Sequence, residues 1–206
     1  MNVLILGATG RVGSHIVSHA LHDGHHVTVL VRSPEKLQHV NQKLTVIQGN
    51  VLNKEDINRA IRGNDVVFSA LNTDGTSTLS DSMPLIIEAM NKQGIKRIIV
   101  VGTAGILQSE GSPDLLRYQS SESKRKSTRA AEEHHQMYRL LKQSALNWTI
   151  VCPTYLHNGE RLGNYRVKQD ILPAGGTEIS VSDTAEFTYN QLQASDFINS
   201  RVGIAY

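Results

Sequence analysis

Gly7, Gly10 and Gly13 stand three residues apart in the stretch GATGRVG, and the chemistry that this spacing serves is anion binding. Glycine lets a backbone turn tightly and lie against a ligand, because no Cβ intervenes. Where a helix begins at such a turn, its unpaired N–H groups attract a negative group, typically the pyrophosphate of a dinucleotide. The triplet is informative only between a strand and a helix. That setting is present. Val3, Leu4, Ile5 and Leu6 form an apolar run suited to a strand covered on both faces, and Val12, Ile16 and Ala20 recur at helical spacing. The turn nominates Gly7, Thr9, Gly10, Arg11, Val12 and Gly13 as cofactor-binding residues.

The end of the second strand selects the dinucleotide. An acidic residue there bonds the ribose 2′-hydroxyl of NAD, whereas a basic one accommodates the 2′-phosphate of NADP. This chain has Val31-Arg32-Ser33 with no acid at the strand end, and Lys36 four residues beyond Arg32. Arg32 can fork onto a phosphate, Ser33 adds a hydroxyl, and Lys36 and Arg11 add charge. NADP, as NADPH, is the expected cofactor. After the third strand, Asn50 carries both donor and acceptor for an adenine edge, with Val51 beside it, although Asn with Gly is also turn chemistry. Ala70 and Leu71 end the fourth strand with small apolar residues that let a cofactor pass closely.

Other reactive side chains read differently. His15, His19 and His22 share one helical face, opposite the Val12, Ile16 and Ala20 stripe, and are expected to be solvated rather than zinc-binding. Cys152 lies within a strand and is expected to be buried. Lys124-Arg125-Lys126 reads as a solvated helix start.

These residues need a scaffold. Further strands are expected at Val27–Val31, Leu44–Ile47, Asp65–Ser69, Lys96–Val101 and Trp148–Val151, with helices at Asn53–Ile61, Ser80–Lys92 and Lys124–Lys142. Alternation of strands and helices implies an α/β Rossmann fold, a doubly wound parallel sheet with helices on both faces. Ligands bind such sheets beyond the strand carboxyl ends. One NAD(P)-binding domain over 1–206 is expected, with a small substrate-side region around 156–180. The polar, Gly- and Pro-broken stretch Gly105–Ser123 follows the fifth strand on the ligand side and suits a lid or a surface loop.

The 206 residues suit that one domain, and a net charge of +2 is too small to argue for nucleic acid. A single cysteine excludes an intramolecular disulfide. There is no signal core and no apolar run of membrane-spanning length, so a cytoplasmic protein is expected, a monomer or weak homodimer acting on a small-molecule substrate.

GATGRVG, VRSPEKL, GNVLN, VVFSAL, KRIIVVGTAG and SALNWTIVCPTYL together resemble the atypical short-chain dehydrogenase/reductases over nearly the whole chain. Within them the chain is most similar to the biliverdin reductase B/flavin reductase group and the NmrA-like proteins. The resemblance implies NADP(H), with Pro153, Thr154 and Tyr155 approaching the nicotinamide. The family's usual active site is Ser or Thr after the fifth strand, then Tyr-x-x-x-Lys on the next helix. Thr103 takes the first position. Counting back from LLKQSALNWTIVCP puts Ala130 and His134 in the tyrosine and lysine positions, so the proton-donating tyrosine is absent. Tyr138 and Lys142 have the spacing, but they fall toward the wrong end of the helix. Thr103 and His134 are the implied catalytic residues, both beside the cofactor.

Two functions fit this pattern. One is an NADPH-dependent reductase of planar electrophiles such as flavins, quinone-like compounds or enones, whose products solvent can protonate. The other is a non-catalytic NADP(H)-sensing regulator of the NmrA-like type. A nucleotide-sugar epimerase is a third reading, whose usual catalytic pair is missing.

Overall fold

The computed structural model describes residues 1–73, 75–123 and 125–206. Strand β1 (Asn2–Leu6) explains its own unbroken apolar run: Leu4 and Leu6 enter a core on one sheet face, Val3 and Ile5 a core on the other. Successive strand side chains point to opposite faces, so a strand sandwiched between helices must be apolar at every position. Fully burying one such side chain contributes roughly 1.5–3 kcal/mol.

The chain then alternates. Helix α1 (Arg11–His22) leads to β2 (His26–Val31) and β3 (Leu44–Gln48), and α2 (Lys54–Ile61) leads to β4 (Val66–Ser69). Helix α3 (Thr78–Gln93) leads to β5 (Arg97–Val101), and α4 (Arg129–Gln143) to β6 (Asn147–Pro153). Short strands β7 (Tyr155–His157), β8 (Arg166–Gln169) and β9 (Glu178–Ser180) precede α5 (Val181–Asn190) and β10 (Ser200–Ala205). The sheet order is β3-β2-β1-β4-β5-β6-β10-β8, parallel except for the antiparallel edge strand β8. Helices α2, α3 and α4 pack on one face and α1 and α5 on the other. This is the doubly wound Rossmann sheet expected from sequence. Its strand order reverses between β1 and β4, the switch point where such sheets bind ligands.

Local chemistry sets the boundaries. The Asn53 side chain caps α2 by accepting from the N–H groups of Glu55 and Asp56, 2.9 and 3.0 Å away. The fourth helix starts later than expected, at Arg129 rather than Lys124. Lys124 itself lies outside the described residues, and Arg125 and Lys126 stay ahead of the helix. The region after Leu156 is also more regular than its sequence suggests. It holds β8 and most of β7, and β7 pairs in parallel with β9 as a separate small sheet. Strands of three or four residues are too short to show a period. The stretch 105–123 is tied down: Glu122 accepts from Ser109 Oγ and Gly111 N and pairs with Arg117.

Candidate functional site

The glycine turn connects β1 to α1 at the switch point. Gly7 has φ +78°, and Gly10 N–H donates to Gly7 O at 2.9 Å. The three glycines do different work. A Cβ on Gly7 would lie 2.4 Å from Ala70 O, and one on Gly13 would lie 2.1 Å from Gly7 O. Both positions therefore exist to let backbone pack on backbone. A Cβ on Gly10 would meet nothing nearer than Gly7 O at 3.2 Å, so its open side faces outward. Gly10 is the N-cap of α1 and carries no side-chain cap, and the first bond into the helix runs from Ser14 N–H to Gly10 O. The N–H groups of the first turn thus remain for a ligand.

A cavity of about 490 Å³ opens at this helix start. Ala8, Thr9, Gly10 and Arg11 line it from the turn, with Ser14 and His15 from the next turn of α1. Lys36 and Gln38 line it from the segment after β2, Asn158, Gly159 and Glu160 from the segment after β7, and Val181 and Ser182 from the start of α5. Arg11 Nη1 donates to Leu156 O at 3.1 Å and to Asn158 Oδ1 at 3.2 Å, tying the turn to the post-β7 segment. That segment is pinned again by Asp183, fully buried in α5. Its carboxylate accepts from Leu162 and Gly163 N–H, from Ser180 Oγ and from Tyr206 OH. Burial pushes its pKa up, but the hydrogen bonds outweigh that and hold it below the usual carboxylate range.

The other residues singled out from sequence stand beside the carboxyl ends of successive strands rather than in this cavity. Arg32 is exposed at the end of β2, and Ser33 leads, without a side-chain cap, into a 3-10 turn at Pro34–Lys36 that carries Lys36 into the cavity. Asn50, after β3, accepts from Leu52 N–H at 3.0 Å, which is the turn chemistry, and Val51 is buried behind it. Ala70 and Leu71 follow β4, and their backbone packs on Gly7. Thr103 follows β5 and caps the 3-10 turn Ala104–Ile106 through Gly105 N–H. A Cβ on Gly105 would lie 3.1 Å from Ala131 Cβ and 3.7 Å from Thr103 Cγ2, so the start of α4 stands against the Thr103 turn. His134, three residues beyond Ala131 on α4, is 9% exposed, and its Nδ1 is buried without a partner among the described residues. Burial lowers its pKa to about 4, so the imidazole is neutral at ordinary pH. Pro153 ends β6 in the core, and the hydroxyl of Thr154 is buried with no hydrogen-bond partner among the described residues. Tyr155 is 62% exposed.

Tyr138 and Lys142 lie elsewhere. They line a second cavity, of about 460 Å³, with Ser144, Trp148, Asp170, Asn199 and Arg201. Ser144, Trp148 and Asn199 mark the amino ends of β6 and β10, opposite the glycine turn. The Tyr138 ring there carries the Arg201 guanidinium at 4.6 Å.

The histidine face of α1 is not uniformly solvated. His19 is half-buried and stacks on Tyr189 of α5 with ring centroids 5.5 Å apart, while His15 lines the first cavity. Packing of α5 on α1 overrides the helical pattern at His19, whereas His15 and His22 stay exposed as expected. Among the described residues, no group of three or more His, Cys, Asp or Glu side chains is placed to hold a metal. Cys152 is buried, and burial pushes its thiol up to about 12, which leaves it inert. Sequence reading expected a substrate-side region around 156–180 but did not single out Asn158–Glu160 within it, nor Ser182, as walls of this cavity, since no local signal relates residue 158 or 182 to residue 10.

Fold, switch-point turn and open helix start define a dinucleotide-binding protein. Comparison with known proteins specifies it further: the NAD(P)H-binding family matches residues 7–195, and the chain belongs to that family. The uncharacterized protein YwnB of Bacillus subtilis is 26% identical over 98% of this chain and 96% of its own length. Among solved structures, a candidate epimerase of Bacteroides thetaiotaomicron is 30% identical with a TM-score of 0.86, covering 100% of this chain and 96% of that one. A candidate NADH-flavin reductase of Streptococcus pneumoniae is 25% identical with a TM-score of 0.83, covering 100% of this chain and 99% of that one. Other curated relatives are longer, and two of them align with 48% of this chain but only 32% and 28% of themselves. The resemblance to the atypical short-chain dehydrogenase/reductases holds. No helix among the described residues is long and apolar enough to cross a membrane.

Proposed function

We propose that the chain is an NADPH-dependent reductase of small planar electrophiles. The observation that carries this reading is the open side of Gly10 at an uncapped helix start above the β1/β4 switch point. The residues present fit a dinucleotide: the first-turn N–H groups of α1 suit the pyrophosphate. Arg32, Lys36 and Arg11 supply charge for a 2′-phosphate, which favours NADPH over NADH. The unpartnered hydroxyl of Thr154 suits the carboxamide at the nicotinamide end. When bound, the nicotinamide supplies a hydride.

The chain's own residues position rather than protonate. Thr103, on its capped turn, orients the substrate or the nicotinamide. His134 is neutral and offers a hydrogen bond to ribose or substrate without serving as an acid at pH 7. Tyr138 lies at the opposite end of the sheet, so solvent delivers the proton to the reduced product. Flavins and quinone-like acceptors suit such a site, because they need hydride and an ordinary solvent proton. A cytoplasmic location, where NADPH is supplied, accords with this reading.

The same missing acid favours a second reading, an NADP(H)-responsive regulator. Titration with NADPH and NADH, followed by NADPH oxidation with FMN, quinones and dyes as acceptors, separates them. Turnover on any acceptor establishes the reductase; tight NADPH binding with no turnover establishes the regulator; absence of binding overturns both.

A further inference from the structure

Arg201 is a buried cation with no part in the dinucleotide reading. It stands on β10 and is only 6% exposed. Taking a guanidinium out of water is costly, and the cost is offset only where its donors find acceptors. Its Nη1 donates to Ile106 O, its Nε donates to Asp170 Oδ1 at 3.1 Å, and its flat face lies over the Tyr138 ring at 4.6 Å. The first of these bonds leads to the candidate site. We infer that Arg201 is a positioning residue: it holds the turn that carries Thr103, and so fixes the Thr103 hydroxyl against the nicotinamide riboside half of the dinucleotide. The inference rests on the dinucleotide reading and deepens it, by assigning Thr103 to the cofactor and by naming the side chain that fixes it.

Three observations support it. Ile106 ends the 3-10 turn that Thr103 caps, and its N–H donates back to Thr103 O at 3.2 Å, so the residue that Arg201 grips is bonded to Thr103 itself. Among the described residues no other donor reaches the Ile106 carbonyl. The same face of β10 presses on the next residue as well. A Cβ on Gly203, two residues along the strand from Arg201, would lie 2.9 Å from Leu107 Cδ1 and 2.2 Å from Ile171 O. Finally, Asp170 extends the grip: its backbone carbonyl accepts from Gln108 N–H at 2.8 Å, and its own N–H donates to Arg201 O at 2.7 Å. Residues 106 and 108 are thus both bound to one Arg201–Asp170 unit.

A guanidinium suits this task. Its donors are fixed relative to one another in a plane, so one carboxylate and one ring together set the direction in which Nη1 points. A lysine would bring the charge without the fork. An apolar side chain of similar length would fill the space but leave the buried Ile106 carbonyl unpaired, and the turn would shift to find a partner. Thr103 Oγ1 accepts from Gly105 N–H inside that turn, so its own proton remains to donate to a ligand. A hydrogen bond weakens steeply with misdirection, so a small displacement of the turn is enough to lose that contact.

The test titrates NADPH and adenosine 2′,5′-bisphosphate, which lacks the nicotinamide riboside, into the full-length wild type and into Arg201→Met, Arg201→Lys, Thr103→Val and each Arg201 variant combined with Thr103→Val. Arg201→Met is expected to bind NADPH about fivefold more weakly, the worth of the one ordinary hydrogen bond that Thr103 makes, with bisphosphate affinity unchanged. Arg201→Lys, which keeps the charge but not the fork, is expected to lose about twofold. Combined with Thr103→Val, neither substitution is expected to cost anything further, because a residue that acts through Thr103 then has nothing left to position. A merely structural arginine would lower stability in urea without moving the ratio of NADPH to bisphosphate affinity. An unchanged ratio in Arg201→Met, or losses that add in the double variant, overturns the inference, while NADPH binding by the wild type leaves the cofactor reading standing. Failure of the wild type to bind NADPH overturns both. Circular dichroism of each variant confirms the fold. Where Arg201→Met does not fold, Arg201→Lys decides: no loss, or a loss that persists in full beside Thr103→Val, overturns the inference.

Discussion

Replacing each glycine of the turn with alanine separates packing from ligand binding. At Gly13 the added methyl would sit 2.1 Å from Gly7 O and 2.8 Å from Gly7 C, both backbone atoms that no rotamer change can move aside. At Gly7 it would sit 2.4 Å from Ala70 O, in a residue with φ +78°. Overpacking of this kind costs about 1–3 kcal/mol. The left-handed backbone at Gly7 adds roughly 1 kcal/mol for a residue with a Cβ. Gly7→Ala should lower unfolding free energy by about 2–4 kcal/mol and Gly13→Ala by about 1–3 kcal/mol in urea. At Gly10 the nearest contact is 3.2 Å, tight but not forbidden, and Gly10 caps the helix with extended backbone. Gly10→Ala should therefore change stability by less than about 1 kcal/mol. Its methyl nevertheless stands where a pyrophosphate must approach, and NADPH affinity should fall at least tenfold, about 1.4 kcal/mol. Urea melts and NADPH titrations of the three variants check this. Equal destabilisation at all three positions, or undiminished affinity in folded Gly10→Ala, would refute the division of labour drawn from the Cβ distances.

Arg32→Ala should erase most of the preference for NADPH over NADH in parallel titrations, a loss of about tenfold or more for one charge-assisted contact. Asp183→Asn should destabilise the wild-type fold by about 2 kcal/mol at pH 7. Because the folded pKa of Asp183 is depressed, its contribution is present above the unfolded value and fades as pH falls below it, so the two proteins should converge in acid melts. His134 works in a different window. Its folded pKa of about 4 lies below the unfolded value near 6.5, so the unfolded chain takes up a proton that the fold refuses, and stability drops as pH falls from about 6.5 to 4. His134→Met should remove up to about 3 kcal/mol of that pH dependence, read as the difference in melting profiles. Tyr138→Phe should leave NADPH binding and any acceptor reduction unchanged; loss of activity in the folded variant would place the reacting centre at the other end of α4.

Local sequence determined most of the scaffold and half of the site. The run Val3–Leu6 announced a strand buried on two faces, and the period of Val12, Ile16 and Ala20 announced the helix after it. Glycine at positions 7, 10 and 13 made the turn between them legible, because close backbone packing at Gly7 and Gly13 and ligand approach at Gly10 both require a missing side chain. These signals survive because they arise between residues within one or two turns of each other. The same locality placed Tyr138 too far down its helix to reach the strand carboxyl ends. Tertiary structure alone decided the rest. Asn158, Glu160 and Ser182 enter the cavity because β7, β9 and α5 fold back over the glycine turn, and strands of three residues carry no readable period. His134 became a neutral group because the packed chain buries it, and the exposed His15 shares a cavity with Lys36 and Asn158 because the segments after β2 and β7 reach the same end of α1. Desolvation and convergence of distant segments are properties of the packed chain, and no residue's immediate neighbours in sequence encode them.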